Sequence, residues 1–166
     1  MAAPRWRPSA TVAAVIEHQG KFLLVEEHTP EGLRLNNPAG HLDPGESPEQ
    51  ACVRETLEET AYAFTPEALV GVYLSRFERA PSATRPKGED ITYLRFAFCG
   101  SLGALERGRR LDYGIVRTLW LSADEIRASQ PLHRSPLVVQ CMEDYLAGKR
   151  YPLELVTTDA GIYRGR

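Results

Sequence analysis

Cysteine is scarce in the 166 residues: Cys52, Cys99 and Cys141 are the only three, and no two form a C-x-x-C pair. That excludes a disulfide framework and a cysteine-based zinc site, and reads as reduced thiols in a hydrophobic core. An excess of charge is lacking too, since 20 Lys+Arg stand against 22 Asp+Glu for a formal net charge of -2. A chain without a basic surplus is not expected to partner polymeric nucleic acid or an anionic membrane. Long hydrophobic runs are also missing: the stretch from Thr11 to Ile16 is cut off by Glu17, His18 and Gln19. It is too short for a signal peptide or a membrane span, so a cytoplasmic protein is expected. Nothing resembles a swapped strand or an exposed apolar helix, and a monomer is the expectation. Finally, there is no G-x-x-x-x-G-K-[ST] loop, no G-x-G-x-x-G after a strand and no G-x-S-x-G elbow, which leaves kinase, dehydrogenase and serine-hydrolase chemistry unsupported.

What is present fits one domain, because a chain of this length buries roughly two-thirds of its unfolded surface without staples. Apolar and β-branched residues from Ala10 to Glu17 and from Lys21 to Val25 flank Gln19-Gly20 and predict a hairpin. Pro38, Gly40, Pro44 and Gly45 then enforce a loop. Ser47, with Pro48 at the first helical position and Gln50 at the capping-box position, predicts a helix running to about Thr60. Strands are predicted over Leu69 to Phe77, Ile91 to Cys99 and Val116 to Leu121. The segment from Arg79 to Asp90, holding Pro81, Pro86 and Gly88, reads as a mobile loop, and Gly103 to Gly114 as a second loop. Ser122 and Glu125 cap a short helix to about Ser129, and a last helix is expected from about Ser135 to Ala147, stopped by Gly148.

The chemistry-bearing stretch is Gly40-His-Leu-Asp-Pro-Gly-Glu46, then seven residues, then Arg54-Glu-Thr-Leu-Glu-Glu59. At about 100° per residue, Glu55, Glu58 and Glu59 fall within a sector of roughly 100° on one helix face. Carboxylates gathered so closely repel unless they are solvated or neutralised by a hard divalent cation such as Mg2+. Val53, Leu57 and Ala61, at i, i+4, i+8, are the expected apolar stripe of that helix. A Glu-rich helix is by itself commonplace, but six fixed identities at fixed spacing arise by chance in roughly 1 in 100,000 chains of this length.

These residues resemble the Nudix box, G-x5-E-x7-R-E-U-x-E-E-x-G-U with U aliphatic. The resemblance implies an α/β/α sandwich with a mixed β-sheet and a loop-helix-loop box, and hydrolysis of diphosphate linkages with Mg2+, or Mn2+ in its place. It implies that Glu55, Glu58 and Glu59 bind metal or activate water, that the Gly40 carbonyl is a backbone ligand, that Arg54 orients a glutamate and that Glu46 secures the loop. Thr56 and Tyr62 stand at aliphatic positions, and Ala61 replaces the glycine after the helix, which predicts either a longer helix or a reset loop. On this basis residues 1–8 are an N-terminal extension, 9–148 a Nudix hydrolase domain with its box at 40–62, and 149–166 a tail.

Leu35-Asn-Asn-Pro-Ala-Gly-His-Leu42, Tyr93-Leu-Arg-Phe-Ala-Phe98, Trp120-Leu-Ser-Ala-Asp-Glu125, Arg134-Ser-Pro-Leu-Val138 and Arg150-Tyr-Pro-Leu-Glu154 are similar to the bacterial phosphatase NudJ branch. That branch implies release of orthophosphate from nucleoside di- and triphosphates and thiamine-pathway pyrophosphates. The longer segment at 79–90 and Leu35 in place of a usual Trp depart from it. Two other readings stay open: a nucleoside triphosphate pyrophosphohydrolase of the housekeeping type, and a Nudix-fold module that binds nucleotide without cleaving it. Further candidates are Asp112, as an acidic residue from outside the box, and Arg95 and His41, as contacts to the substrate.

Overall fold

The fold is described from a computed structural model covering residues 5–83 and 85–164. The first four residues of the expected N-terminal extension and the last two of the expected tail lie outside the described residues. Strands β1 (Ser9–Val15), β2 (Glu17–His18), β3 (Lys21–Thr29), β4 (Gly32–Asn36) and β5 (Ala39–His41) precede helix α1 (Pro48–Thr60). Strands β6 (Tyr62–Arg79), β7 (Glu89–Leu105) and β8 (Ile115–Ser122) and helices α2 (Ala123–Ala128) and α3 (Leu137–Leu146) follow.

Alternation along the strands builds two cores, one on each face of the sheets. Val12, Ala14 and Ile16 join Leu23, Phe64, Leu69 and Phe98 beneath Ala51 and Cys52 of α1. Ala13 and Val15 turn the other way, onto Phe22, Leu24, Ala97 and Cys99 and the α2–α3 residues Ile126, Leu137, Val138, Cys141 and Met142. Each large side chain buried in this way stabilises by about 1.5–3 kcal/mol. The result is a sandwich of helix, sheet and helix. One four-stranded sheet has the order β5-β1-β7-β6, with β1 parallel to β7 and the other pairs antiparallel, so it is mixed as expected. In the other sheet β3 pairs β2, β4 and β8, all antiparallel.

The predicted front hairpin is a difference. Gln19-Gly20 does turn the chain, with φ of 52 and 77, but only the two-residue β2 pairs β3 across it. β1 instead pairs β5 and β7, because both of its faces are apolar and only a central strand covered on both sides buries them. The two ends of the 79–90 segment, expected to be loop, are strand. β6 and β7 stay paired as far as Arg79↔Glu89, and Arg79 is clamped between Glu31 and Glu89.

Helix α1 starts as the sequence predicts, with Ser47 and Gln50 in a reciprocal capping box. Its buried face differs: Ala51, Cys52, Glu55, Thr56, Glu59 and Thr60 point inward, whereas Val53 and Leu57 are half-buried. Thr56 and Thr60 are tolerated there because each hydroxyl donates to the carbonyl four residues earlier. Ala61 ends the helix in the left-handed region, φ 61, with its N–H on the Leu57 carbonyl. The helix therefore stops where a glycine would stop it, at the conformational cost of a Cβ. The three cysteines are free and buried, and among the described residues no helix is long and apolar enough to cross a membrane.

Candidate active site

The box loop and α1 meet around Arg54. Its guanidinium donates to Glu46 through Nε at 3.0 Å and Nη2 at 2.7 Å, to Glu55 at 2.8 Å, to Glu58 at 3.0 Å and to the His41 carbonyl at 3.0 Å. Glu46 also accepts from the Asp43 backbone N–H at 2.8 Å, tying the loop to the helix that follows it. Arg54 holds the Glu46 carboxyl below its usual range, and Glu46 in turn raises the pKa of Arg54.

Glu55 and Glu59 are each only 9% exposed and line a cavity of about 440 Å³. Burial raises both carboxyls from their ordinary range, Glu59 to about 8 even though it accepts a 2.9 Å hydrogen bond from the Ala39 N–H. Glu55 lies directly over Gly40. A Cβ at residue 40 would stand 2.0 Å from the Glu55 carboxyl carbon, so only glycine lets backbone and carboxylate share that space. Glu58 differs from its two neighbours, because it is half-buried beside Arg54 and does not line the cavity. Its i,i+4 ion pair with Arg54 draws it along the helix surface. Among the described residues no three acidic, histidine or cysteine side chains are grouped as a ready cage for an ion.

The donors that do line the cavity at this end, Glu55, Glu59 and Gly40, offer oxygen. Buried carboxylates whose ionisation is opposed by desolvation match a hard divalent cation, which would supply the missing counter-charge. The cavity therefore fits such an ion by chemistry, with Glu58 one helical step away.

The other predicted residues divide. His41 lines the cavity but is exposed, and its ring lies 6.2 Å from that of Tyr93. Arg95 lines it and is buried, 8% exposed. Asp112 is exposed and does not line it. Its backbone N–H donates to the Glu58 carbonyl at 3.0 Å, and its charge helps to raise Glu55 and Glu59. Sequence reasoning missed Thr11, Glu27 and Asn36, all of which line the cavity. The Asn36 side-chain N–H donates to Glu27 at 3.3 Å. A signal was available in Thr11, a polar residue on a strand that from Val12 onward is apolar on both faces.

Register explains how these groups assemble. His41, Thr11, Arg95 and Tyr73 form one row across β5, β1, β7 and β6, and the next row, Ala39, Ala13, Ala97 and Gly71, is uniformly small. A polar floor thus sits beside a shallow apolar strip. The start of α3 faces this floor, pinned by the Arg134 N–H donating to the Leu35 carbonyl at 2.8 Å.

Comparison with known proteins agrees with this geometry. The NUDIX domain family matches residues 5–140. The chain is 36% identical over 151 residues to the Escherichia coli K12 protein called Phosphatase NudJ, covering 91% of this chain and 92% of that protein. A solved NUDIX hydrolase from Nitrosomonas europaea is 53% identical, with a TM-score of 0.81 and coverage of 93% of this chain and 99% of that one. A MutT NUDIX hydrolase from Burkholderia pseudomallei shares the fold at 20% identity, with a TM-score of 0.63 over 84% of this chain and 98% of its own. A box that folds as a capped helix over its own glycine, inside a domain matched along most of its length, has one reading: this chain belongs to the Nudix hydrolase family.

Proposed function

We propose that this Nudix hydrolase is a metal-dependent phosphatase that cleaves phosphoanhydride bonds of nucleoside di- and triphosphates and thiamine-pathway pyrophosphates, releasing orthophosphate. The observation that carries the reading is the pair of buried carboxylates, Glu55 and Glu59, facing a cavity across a glycine that has no room for a side chain. The phosphatase named among its relatives supports release of orthophosphate.

The Gly40 carbonyl, Glu55, Glu58 and Glu59 would hold Mg2+, or Mn2+ in its place. Such an ion neutralises phosphate oxygens and lowers the pKa of a bound water. Glu59, with its pKa raised to about 8 by burial, is the group whose ionisation depends most on that counter-charge. Glu55 sits where it can ligate or take the proton of the attacking water. Arg54 keeps Glu55 and Glu58 in place, and Glu46 anchors Arg54 to the loop. The substrate is a small molecule that enters the cavity, and the protein acts as a monomer in the cytoplasm.

The test is incubation with Mg2+ and, separately, a nucleoside diphosphate, a nucleoside triphosphate and a thiamine-type pyrophosphate, with products resolved by chromatography. Orthophosphate from all three, abolished by chelator and reduced about 100- to 1000-fold by Glu59→Gln, is the expected result. Pyrophosphate from the triphosphate would instead assign the chain to the pyrophosphohydrolases. Binding without any product would make it a sensor.

A further inference from the structure

The deep and shallow parts of the cavity differ in chemistry. Toward the rim it is lined by the half-buried rings of Phe77 and Tyr93 and by Pro136. Apart from Leu137, the most buried lining groups are instead polar: Thr11 at 6% exposure, Asn36 at 7%, Arg95 at 8%, and then Glu55 and Glu59. No aromatic ring is among them.

Three of these deep side chains carry polar atoms with no hydrogen-bond partner: Thr11 Oγ1, Asn36 Oδ1, and both Nε and Nη1 of Arg95. Thr11 and Arg95 are cross-strand neighbours, so their free groups share one face of the sheet. Among the described residues the Arg95 guanidinium makes no salt bridge; Glu27 and Glu59 act on it only through space, and the Cys141 thiol beside it is a weak partner. A buried cation without a hydrogen-bonded anion is among the costlier arrangements a protein holds, and its natural complement is an anion brought by a ligand. Asn36 is oriented by Glu27, which takes its N–H and leaves Oδ1 as a free acceptor.

We propose that Arg95 and Thr11 form an anion seat that receives the terminal phosphate of the substrate, opposite Glu55 and Glu59, with the organic group lying outward against Tyr93 and Phe77. The proposal rests on the hydrolase reading above and adds the orientation of the substrate. Arg95 and the Thr11 hydroxyl donate to terminal phosphate oxygens, and Asn36 Oδ1 accepts the P–OH proton that orthophosphate retains near neutral pH. With the chain end seated this way, a water oxygen bonds to the terminal phosphorus as its bond to the bridging oxygen breaks. The bridging oxygen keeps the electron pair and departs on the organic phosphate. One water proton passes to a box glutamate and the other stays on the orthophosphate. The opposite orientation would press a heterocycle against an unpaired guanidinium and two carboxylates, with no ring to stack on. Selection then falls on the end of the phosphate chain, and the organic group is read only at the rim.

Inorganic phosphate is the direct probe, titrated into the Mg2+-loaded protein and followed by phosphorus NMR, with no turnover involved. Arg95→Met is expected to weaken orthophosphate binding about tenfold or more, Arg95→Lys to recover part of it, and Thr11→Val to weaken it by a smaller factor. Arg95→Met is also expected to leave the melting temperature unchanged or higher, since it removes an unpaired buried charge. Equal orthophosphate affinity in wild type, Arg95→Met and Thr11→Val would overturn the seat. So would a fall in melting temperature for Arg95→Met that Arg95→Lys reverses without restoring phosphate affinity. A chain that binds orthophosphate through Arg95 but hydrolyses nothing would refute the hydrolase reading and keep the seat. Release of pyrophosphate from a triphosphate would refute the seat and keep the hydrolase.

Discussion

Arg54 and Arg95 are the same side chain in opposite circumstances, and both bear on one cavity. Arg54 donates to three carboxylates and a carbonyl, and a fourth carboxylate, Asp43, lies 3.7 Å away. Arg95 is more deeply buried, and among the described residues its Nε and Nη1 have no hydrogen-bond partner. Within a single fold this means that Arg54 is satisfied by the protein's own carboxylates, whereas Arg95 is left for a ligand to satisfy. A protein gains stability from the first arrangement and forgoes it in the second, and the second is where specificity resides.

The comparison can be broken from either side. The largest effect is expected from Gly40→Ala. Its new methyl group would occupy the space of the Glu55 carboxylate and push it out of the cavity, so activity should fall about 100-fold, while circular dichroism shows the fold retained. An active Gly40→Ala would mean that Glu55 is not needed at that position. Next comes Arg54→Met, which strands Glu46, Glu55 and Glu58 together. It should cost about 1–3 kcal/mol in denaturant unfolding, against no loss for Arg95→Met. Equal losses for the two variants would erase the distinction between a satisfied and an unsatisfied arginine. The smallest effect is at the helix exit, where Ala61→Gly relieves a left-handed Cβ and should add about 1 kcal/mol without changing turnover.

These same two ends mark how far the sequence could be read. The box was legible because its spacing is local: Ser47 and Gln50 cap the helix, and Gly40, Glu46, Arg54 and Glu55 meet within sixteen residues of chain. Even there the glutamates did not behave as one set, because an i,i+4 partner turned Glu58 aside while burial claimed Glu55 and Glu59. The floor was legible only in part: Arg95 and His41 stood out as candidates, but Thr11 and the grouping of these residues did not. Thr11 and Arg95 lie 84 positions apart and meet only because β1 pairs β7 in parallel, a register that no local pattern specifies. The front hairpin failed for the same reason: Ala10 to Glu17 carried strand character but not the identity of its partner. Thr56 and Thr60 defeated the expected apolar stripe of α1, since their hydroxyls are satisfied by the helix's own backbone and can be buried.

The seat at Arg95 and Thr11 determines which phosphorus atom is attacked. Hydrolysis of a nucleoside diphosphate by the Mg2+-loaded protein in water enriched in heavy oxygen, with both products analysed by mass spectrometry, tests it most directly. The account predicts that the heavy oxygen appears in orthophosphate and is absent from the nucleoside monophosphate. Heavy oxygen in the nucleoside monophosphate would place the attack on the inner phosphorus and contradict it.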